Sequence, residues 1–212
     1  MSHKERRHKE REDMKQMIAD AAVDLIIKDG YENMSIRKIA NIIEYSPTTI
    51  YNYYPDKAAI ISYMVEGVQN KIVAECKRII TENSSLSADK VLILCINAYL
   101  QCIVKEPQMG KAILLSGAVL FTEEDNDEDM IDSGKALMSS LLQKGEAQGM
   151  FRKLDENITL IILTSLLGFA LSSIENQLYA LDDYDHLVSV FSDMILRGIL
   201  NNDFFNGRVE CL

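Results

Sequence analysis

The sequence predicts an all-α protein, built from a small N-terminal helical domain and a larger helical domain that follows it. The 212 residues include only 10 glycines and 3 prolines, so few positions would interrupt a helix. No stretch of the chain alternates apolar and polar residues with a period of two, which is the pattern of a half-buried strand. Apolar residues instead recur three and four positions apart, as they do on one face of a helix.

Two short helices joined by a tight turn are predicted between Ser35 and Tyr54. Ser35 is a suitable N-cap for the first helix, and Ser46 is one for the second. Pro47 then stands at the first helical position, where a missing N–H costs nothing. Ile50 and Tyr54, four residues apart, would face the interior. The other side chains of this second helix would point outward: Thr48, Thr49, Tyr51, Asn52 and Tyr53.

A short helix with hydroxyl groups at its N-terminus, and with phenol and amide groups along its flank, suits the major groove of DNA. We expect Thr48 and Thr49 to meet base edges, since their methyl groups suit thymine. Tyr51, Asn52 and Tyr53 are expected to hold phosphates, which fixes the register without reading the sequence. The same stretch also fits two amphipathic helices of an ordinary bundle, so the interpretation depends on the flanking segments.

The flanking segments carry a resemblance to a known family. A helix that ends at Gly30 precedes the pair, and Asp56 to Ile60 opens another helix after it. The assembly resembles the N-terminal domain of the TetR family of transcriptional regulators over Met14 to Val68, in the segments A-A-x-x-L-I-x-x-x-G-Y, S-I-R-K-I-A, S-P-T-T-I-Y-N-Y-Y and D-K-A-A-I. The family usually has glycine in the turn between the two helices. This chain has Glu44 there, and a positive φ would strain it.

This resemblance implies a sequence-specific DNA-binding transcriptional regulator, a ligand-released repressor that binds double-stranded operator DNA as a homodimer. The two reading helices would then lie about one DNA turn apart on a near-palindromic operator. The resemblance also implies a DNA contact for Arg37, which could otherwise be a surface arginine. Lys57 could add a phosphate contact near backbone N–H groups. The full set of candidate DNA-binding residues is Ser35, Arg37, Ser46, Pro47, Thr48, Thr49, Tyr51, Asn52, Tyr53 and Lys57.

Charge is divided unevenly along the chain. The formal net charge is −10, yet residues 1–57 carry ten basic and ten acidic side chains, so the whole excess lies on residues 58–212. A neutral first domain can still present a basic face to DNA, while an acidic body is repelled from it. We therefore place a DNA-binding domain at residues 1–57, with the family-type region at about 12–72, and a ligand-binding and dimerisation domain at residues 58–212.

Two charged segments allow more than one interpretation. Arg6, Arg7 and Arg11 could form a basic arm that enters the minor groove, or they could belong to a solvated, mobile terminus. Six carboxylates occur in the seven residues 123–129 and could bind a divalent cation. That segment lacks the glycine and the closing glutamate of a calcium loop, so a solvated loop is the other interpretation.

The larger domain is predicted to bind a small hydrophobic or amphipathic effector in a pocket of methionine and aromatic side chains. The candidate residues are Tyr63, Met64, Tyr99, Met109, Phe121, Met138 and Phe169. The last two helices, predicted at residues 157–180 and 183–202, are strongly apolar and could pair with their copies in a four-helix dimer interface. The candidates there are Leu163, Leu167, Leu171, Ile174, Phe191, Met194 and Ile195. Either set could instead belong to the core of one chain.

Other functional classes find little support in the sequence. No G-x-S-x-G, P-loop or G-x-G-x-x-G motif occurs, so we expect neither an enzyme nor a cofactor. The four cysteines form no C-x-x-C pair, which argues against a metal site or a disulfide framework. We expect a cytoplasmic protein, because no secretory signal is seen and the apolar run at 158–174 fits a buried helix. The competing function is a helical small-molecule-binding or scaffold protein without operator binding.

Overall fold

The computed structural model describes residues 3–105, 107–116 and 134–201, and nine α-helices account for most of them. Within these residues the backbone forms no strand beyond one isolated bridge, between Phe151 and Leu200. The predicted all-α fold is therefore confirmed. Phe121 and the acidic segment 123–129 lie outside the described residues.

The first four helices run from the N-terminus through the predicted helix pair. They are α1 (His3–Asp29), α2 (Ile36–Ile42), α3 (Pro47–Tyr51) and α4 (Lys57–Glu82). A short 3-10 helix, Tyr31–Asn33, follows α1, and Gly30 begins it with a φ of 81°. Glycine can end α1 there because it has no Cβ to clash at this angle. The remaining helices are α5 (Ala88–Val104), α6 (Pro107–Ser116), α7 (Gly134–Ala147), α8 (Ile158–Glu175) and α9 (Tyr184–Ile199).

One compact unit takes in the first 68 residues together with α6. Its wholly buried side chains come from α1, α2, α3, the start of α4 and α6: Ile18, Ala19, Ala22, Ile26, Ile39, Ala40, Ile50, Ile60 and Ala112. α6 packs against α1 and against the 3-10 helix. Burying one isoleucine side chain stabilises a fold by about 1.5–3 kcal/mol. α3 has only five residues, so its buried isoleucine and not its own helix propensity holds it in place.

The predicted domain boundary after residue 57 stays a prediction. In the structure the first unit continues along α4 as far as Val68, and Ile60, Ile61 and Met64 are buried in this part of α4. The sequence did not indicate that α6 belongs to this unit. The spacing of apolar residues shows that a helix packs against something, but it does not identify the partner.

The second unit contains the rest of α4 together with α5, α7, α8 and α9. α5 lies at its centre and packs against α7, α8 and α9. Leu92, Ile96 and Leu100 recur every four residues along α5 and are wholly buried. This spacing keeps them on one helix face. The unit is therefore a helical bundle arranged around α5.

The segment after α7 is fixed by contacts with α7 and with the end of α9. Phe151 packs against Gly145 of α7, where a Cβ atom would meet the phenylalanine ring at 2.1 Å. The Arg152 backbone N–H donates to the Ile199 carbonyl at 2.9 Å. The Arg152 guanidinium donates twice to the Gly198 carbonyl, at 2.9 and 3.0 Å. These bonds satisfy acceptors that the C-terminus of α9 would otherwise leave unpaired.

Candidate nucleic-acid interface

Serine side chains cap both helices of the pair, as predicted. The Ser35 hydroxyl accepts a hydrogen bond at 3.3 Å from the backbone N–H three residues on. The Ser46 hydroxyl accepts one from the Thr49 backbone N–H at 3.1 Å, and its oxygen lies 2.9 Å from the Thr49 hydroxyl oxygen. The Thr49 hydroxyl is thus engaged within α3. Thr48 is exposed, so it offers its hydroxyl at the start of the helix.

The turn between α2 and α3 places Glu44 in the left-handed region, with a φ of 59°. The Tyr45 N–H donates to the Ala40 carbonyl at 3.0 Å, five residues back. Together these features form a Schellman motif, in which glycine usually occupies the left-handed position. Glu44 thus adopts the strained left-handed angle, which settles a turn geometry that the sequence left open. A side chain in this region costs about 1–2 kcal/mol.

The outer side of α3 carries the predicted base- and phosphate-contacting groups. Thr48 and Asn52 are exposed, and Tyr51 has 55% of its surface exposed. Ile50 is wholly buried on the opposite side, and Tyr53 is half-buried. This short segment therefore presents a hydroxyl, a phenol and an amide to solvent, while its buried Ile50 holds it against the core.

Tyr54 joins the end of α3 to α1 and α4. Its hydroxyl donates to the Lys15 carbonyl at 3.3 Å, and its ring meets the Tyr63 ring edge-on, with centroids 5.7 Å apart. Burial raises the pKa of Tyr54, and the neighbouring Tyr63, Glu12 and Glu66 raise it further. The phenol therefore stays neutral and keeps its hydrogen bond at physiological pH.

Two basic side chains stack on tyrosine rings near α3. The Arg11 guanidinium lies 5.3 Å from the Tyr53 ring centroid, and the Lys57 ammonium lies 4.1 Å from the Tyr31 centroid. Cation–π contacts at exposed sites contribute about 0.5–1 kcal/mol. Lys57 is thus held at the first residue of α4, where the Asp56 carboxylate accepts a hydrogen bond from the Ala59 N–H at 2.9 Å. Arg37 on α2 is exposed.

The N-terminal residues form a helix and not an extended arm. Residues 3–11 are exposed turns of α1. A helix with its side chains is about 10–12 Å across, whereas the minor groove is about 6 Å wide. As a helix this segment is too wide for the minor groove, and the arm considered for Arg6, Arg7 and Arg11 stays a prediction. Arg6 instead pairs with Glu10 at 2.9 Å along the same helix.

Residues 18–64 match the family model described as bacterial regulatory proteins of the tetR family. The match begins within α1 and ends within α4, so it includes the whole capped helix pair and the turn at Glu44. The chain therefore carries a TetR-family domain at residues 18–64. The resemblance carried by the sequence motifs is thereby confirmed.

Solved structures share the fold of this TetR-family chain over most of its length. A chain from Shewanella sp. PV-4 aligns with a TM-score of 0.70 and 16% identity, over 88% of this chain and 98% of that one. A fatty acid degradation regulator from Bacillus halodurans aligns with a TM-score of 0.67 and 21% identity, over 86% and 94%. A TetR family transcription regulator from Marinobacter aquaeolei VT8 aligns at 0.65 and 14%, over 92% and 99%. A comparison with curated proteins finds no match.

The predicted DNA-binding residues of the TetR-family chain all lie on α2, α3, the first residue of α4 or the residues next to them. Six are exposed: Ser35, Arg37, Ser46, Thr48, Tyr51 and Asn52. Four are partly buried: Pro47, Thr49, Tyr53 and Lys57. Their contacts with DNA stay predictions. The sequence could not show the support from α1, because the bond from Tyr54 to Lys15 joins residues 39 positions apart.

The predicted effector-binding residues are divided between the two units. Three belong to the first unit: Tyr63, Met64 and Met109. Three belong to the second unit: Tyr99, Met138 and Phe169. Phe121 lies outside the described residues. The helical spacing predicted that these side chains face inward, but it could not assign them to one interior.

The second unit offers a cleft and a buried phenol. A cleft of about 340 Å³, a volume typical of small-ligand sites, lies beside the end of α5 and the start of α9. Its lining is more polar than predicted and includes none of the candidate effector residues: Gln101, Val104, Lys105, Tyr179, Leu181, Asp182, Tyr184 and Asp185. Separately, the Tyr99 hydroxyl is buried without a hydrogen-bond partner among the described residues, and burial raises its pKa.

The predicted dimer-interface residues of α8 and α9 fall into three groups. Three are buried within the protomer: Leu163, Ile174 and Ile195. Three are half-buried: Leu167, Leu171 and Phe191. Only Met194, 61% exposed, lies fully at the surface. The buried residues therefore belong to the core, because helical spacing alone does not tell inner from outer faces on an apolar helix.

Three apolar side chains that α8 and α9 expose were not among the predicted dimer-interface residues. They are Leu160, Ile161 and Val190, and the last two are each 54% exposed. Among the described residues, α8 is also the helix long and apolar enough to cross a membrane, although length and composition alone do not separate this from a core helix. Val190 lies one turn from Met194 on α9, a four-residue spacing that could have indicated this outer face.

Proposed function

We propose that this TetR-family regulator is a homodimeric repressor that reads a near-palindromic operator with α3 and is released by a small effector. The proposal rests on the outer side of α3, where Thr48, Tyr51 and Asn52 project from a helix anchored by Ile50. The major groove is about 12 Å wide and admits a helix with such groups.

The proposed contacts divide into those that read bases and those that hold the backbone. Thr48 offers a hydroxyl and a methyl group to base edges. Tyr51 and Asn52 bind phosphates and fix the register. Lys57 adds a phosphate contact, for which its ammonium leaves the Tyr31 ring. That exchange is favourable because a phosphate attracts the ammonium more strongly than the ring quadrupole does.

Homodimerisation is supported by the apolar surface on the last two helices. Leu160 and Ile161 on α8, with Val190 and Met194 on α9, remain exposed in one chain. Burying apolar surface stabilises an interface by about 25 cal/mol per Å². Pairing α8 and α9 with their copies would make a four-helix interface. Two reading helices about 34–36 Å apart would then reach successive major grooves on one face of the duplex.

The effector is proposed to be hydrophobic or amphipathic and to act on the spacing of the two reading helices. A ligand that binds one spacing more tightly than another shifts the dimer towards it, and release follows when that spacing mismatches the operator. One fold relative, from Bacillus halodurans, regulates fatty acid degradation, which fits an effector of this class. A cytoplasmic location without a catalytic role completes the proposal.

A mobility-shift assay tests the DNA-binding proposal, with duplexes taken from upstream of the coding sequence of this chain. The unchanged chain should shift a duplex at low salt and should be retained on heparin. Tyr51→Ala combined with Lys57→Ala should abolish the shift, while circular dichroism stays helical. Lys57→Ala alone should flatten the salt dependence of binding by about one unit. Lys90→Ala, which removes the same charge from an exposed position of α5, should bind as the unchanged chain does.

Two results would contradict the proposal. One is the absence of any shift at low salt, and the other is a shift that survives the double substitution. Either would favour the competing function, a helical small-molecule-binding or scaffold protein without operator binding.

A further inference from the structure

The first helix begins well before the part of the chain that matches the family. α1 starts at His3, whereas the matched region starts at residue 18. At a rise of about 1.5 Å per residue, the preceding helical segment is about 22 Å long. Residues 3–11 are exposed, so this segment is not used to build the core. A surface of this length beside a DNA-binding helix pair can take a role in binding.

Basic residues of this segment gather on one face. At about 100° per residue, Lys4, Arg7, His8, Arg11 and Lys15 fall within a sector of about 100°. We name this sector the basic face. The carboxylates of the segment lie outside it: Glu5, Glu10, Glu12 and Asp13. The segment has six lysine and arginine side chains and four carboxylates, and the helix keeps the carboxylates off the basic face.

The basic face points towards the reading helix. The Arg11 guanidinium lies over the Tyr53 ring, and the Lys15 carbonyl accepts the hydrogen bond of Tyr54. Lys4 lies on the same face about 10 Å further along the axis from Arg11. The basic face therefore begins at the end of α3 and extends outward from it.

The outer positions of the basic face carry basic side chains that can bind an anion. Arg6, on another side of the helix, pairs with Glu10, and Lys15 pairs with Glu12 at 3.2 Å. Within the part of the chain that the structure describes, Lys4 and Arg7 form no ion pair. Duplex DNA carries one negative charge per about 1.7 Å of its axis, so a linear basic face is complementary to it.

We propose that the basic face of α1 binds the phosphate backbone next to the half-site that α3 reads. This inference rests on the proposed function, because α3 must first occupy the major groove. The contacts are to phosphates, so they add affinity without adding sequence preference. Lys4 and Arg7 each contribute one phosphate contact. Both contacts are to flanking DNA that the family-type domain does not reach.

Two double variants and two duplexes test the inference. Lys4→Ala with Arg7→Ala removes two charges from the basic face. Arg6→Ala with Lys9→Ala removes two charges from the same segment on the other side of the helix. Alanine is the best helix former, so both variants should keep α1 helical, which circular dichroism checks. The duplexes are the shortest one that the unchanged chain shifts, and the same one lengthened by about one helical turn of unrelated sequence at each end.

The unchanged chain should bind the longer duplex more tightly and with a steeper salt dependence. Lys4→Ala with Arg7→Ala should remove that gain, and it should flatten the slope on the longer duplex by about 1.8, since each phosphate contact contributes about 0.9. On the shortest duplex this variant should bind as the unchanged chain does. Arg6→Ala with Lys9→Ala should keep the gain on the longer duplex.

Equal slopes for the two double variants would overturn the inference, as would an equal loss on both duplexes. A change in the oligomeric state of Lys4→Ala with Arg7→Ala without DNA would also overturn it, because the basic face would then bind the acidic part of another copy. These results leave the proposed function intact, since the unchanged chain still binds the operator. If the unchanged chain shifts no duplex, the proposed function fails and this inference fails with it.

Discussion

The Arg11 guanidinium lies 5.3 Å from the centre of the Tyr53 ring, so α1 contacts the residues that directly follow α3. The hydrogen bond from Tyr54 to the Lys15 carbonyl supports the same junction one turn further along α1. α3 is five residues long, and a helix of that length is not stable alone. Its orientation therefore depends on α1 as well as on its own buried isoleucine.

Arg11→Ala should lower the free energy of unfolding by about 0.5–1 kcal/mol, because it removes the cation–π contact with Tyr53. Urea denaturation followed by circular dichroism measures this change. Arg7→Ala is the matched control, since Arg7 lies one turn away on the exposed part of α1, and it should change stability by less than about 0.5 kcal/mol. Equal losses in both variants would show that the contact with Tyr53 contributes nothing specific.

Glu44→Gly should raise the stability of the first unit. Glycine relieves a left-handed strain of about 1–2 kcal/mol but adds about 0.4–1 kcal/mol of entropy to the unfolded chain, which leaves a net gain of up to about 1.6 kcal/mol. Glu44→Gln separates the effect of charge and should stay within about 0.5 kcal/mol of the unchanged chain. Asn41→Gly, inside α2, should lower the free energy of unfolding. Thermal unfolding measures the stability of all three variants. A gain at Asn41 or none at Glu44 would contradict this account.

The stability of the chain should fall at alkaline pH, in part through Tyr54. Burial raises its pKa above the value near 10 of an unfolded chain, so the folded state holds the phenol proton more tightly. The resulting stability is fully present below pH about 10 and is lost as the pH rises from there towards the folded-state pKa. Tyr54→Phe should therefore show a shallower decline above pH about 10 in urea denaturation. Tyr51→Phe, at an exposed position of α3, should decline as steeply as the unchanged chain.

Gly145→Ala should destabilise the second unit by about 1–3 kcal/mol, the usual cost of overpacking a core. The added Cβ would lie 2.1 Å from the Phe151 ring, and that ring is buried and cannot swing away. Gly67→Ala is the control, because no atom lies within 4 Å of its Cβ and alanine favours the helix by about 0.5–1 kcal/mol. Differential scanning calorimetry should show opposite shifts in Tm, and shifts of the same sign would argue against a close Phe151 contact.

The helix pair could be predicted closely because its signals are local. Ser35 and Ser46 cap helices whose first residues follow them directly, and the four-residue spacing of Ile50 and Tyr54 gave the correct inner side of α3. The conformation of Glu44 was left open, because the family usually has glycine at this position of the turn. A cap, a turn or a helix face involves residues within a few positions of one another, and a sequence displays these directly.

The effector and dimer residues could not be predicted in the same way because they depend on which helices pack together. α8 is apolar on nearly every side, so nothing local distinguishes the buried Leu163 from the exposed Ile161. Met64 and Tyr99 both face inward as expected, yet they face the interiors of different units. The assignment of α6 to the first unit is of the same kind, since it depends on contacts with α1 that are distant in sequence.

Ile161→Glu combined with Met194→Glu should convert a dimer into a monomer. Both side chains are more than half exposed in one chain, so the substitutions leave the protomer core intact. In a dimer they would bury charges without partners, at a cost of several kcal/mol per charge. Sedimentation velocity measures the molecular mass, and circular dichroism checks that the helices persist. Leu94→Glu, at an exposed apolar position of α5, is the matched control and should not change the mass.

The same double variant separates dimerisation from DNA reading. A monomer still carries an intact α3, so it should bind a single half-site as weakly as one arm of the dimer does. On the full operator it should lose the gain that comes from linking two binding events, which commonly reaches about 10²–10⁴ in affinity. Half-site binding with loss of full-operator affinity would support an interface at α8 and α9. A dimer that survives both glutamates would place the interface on another surface of the chain.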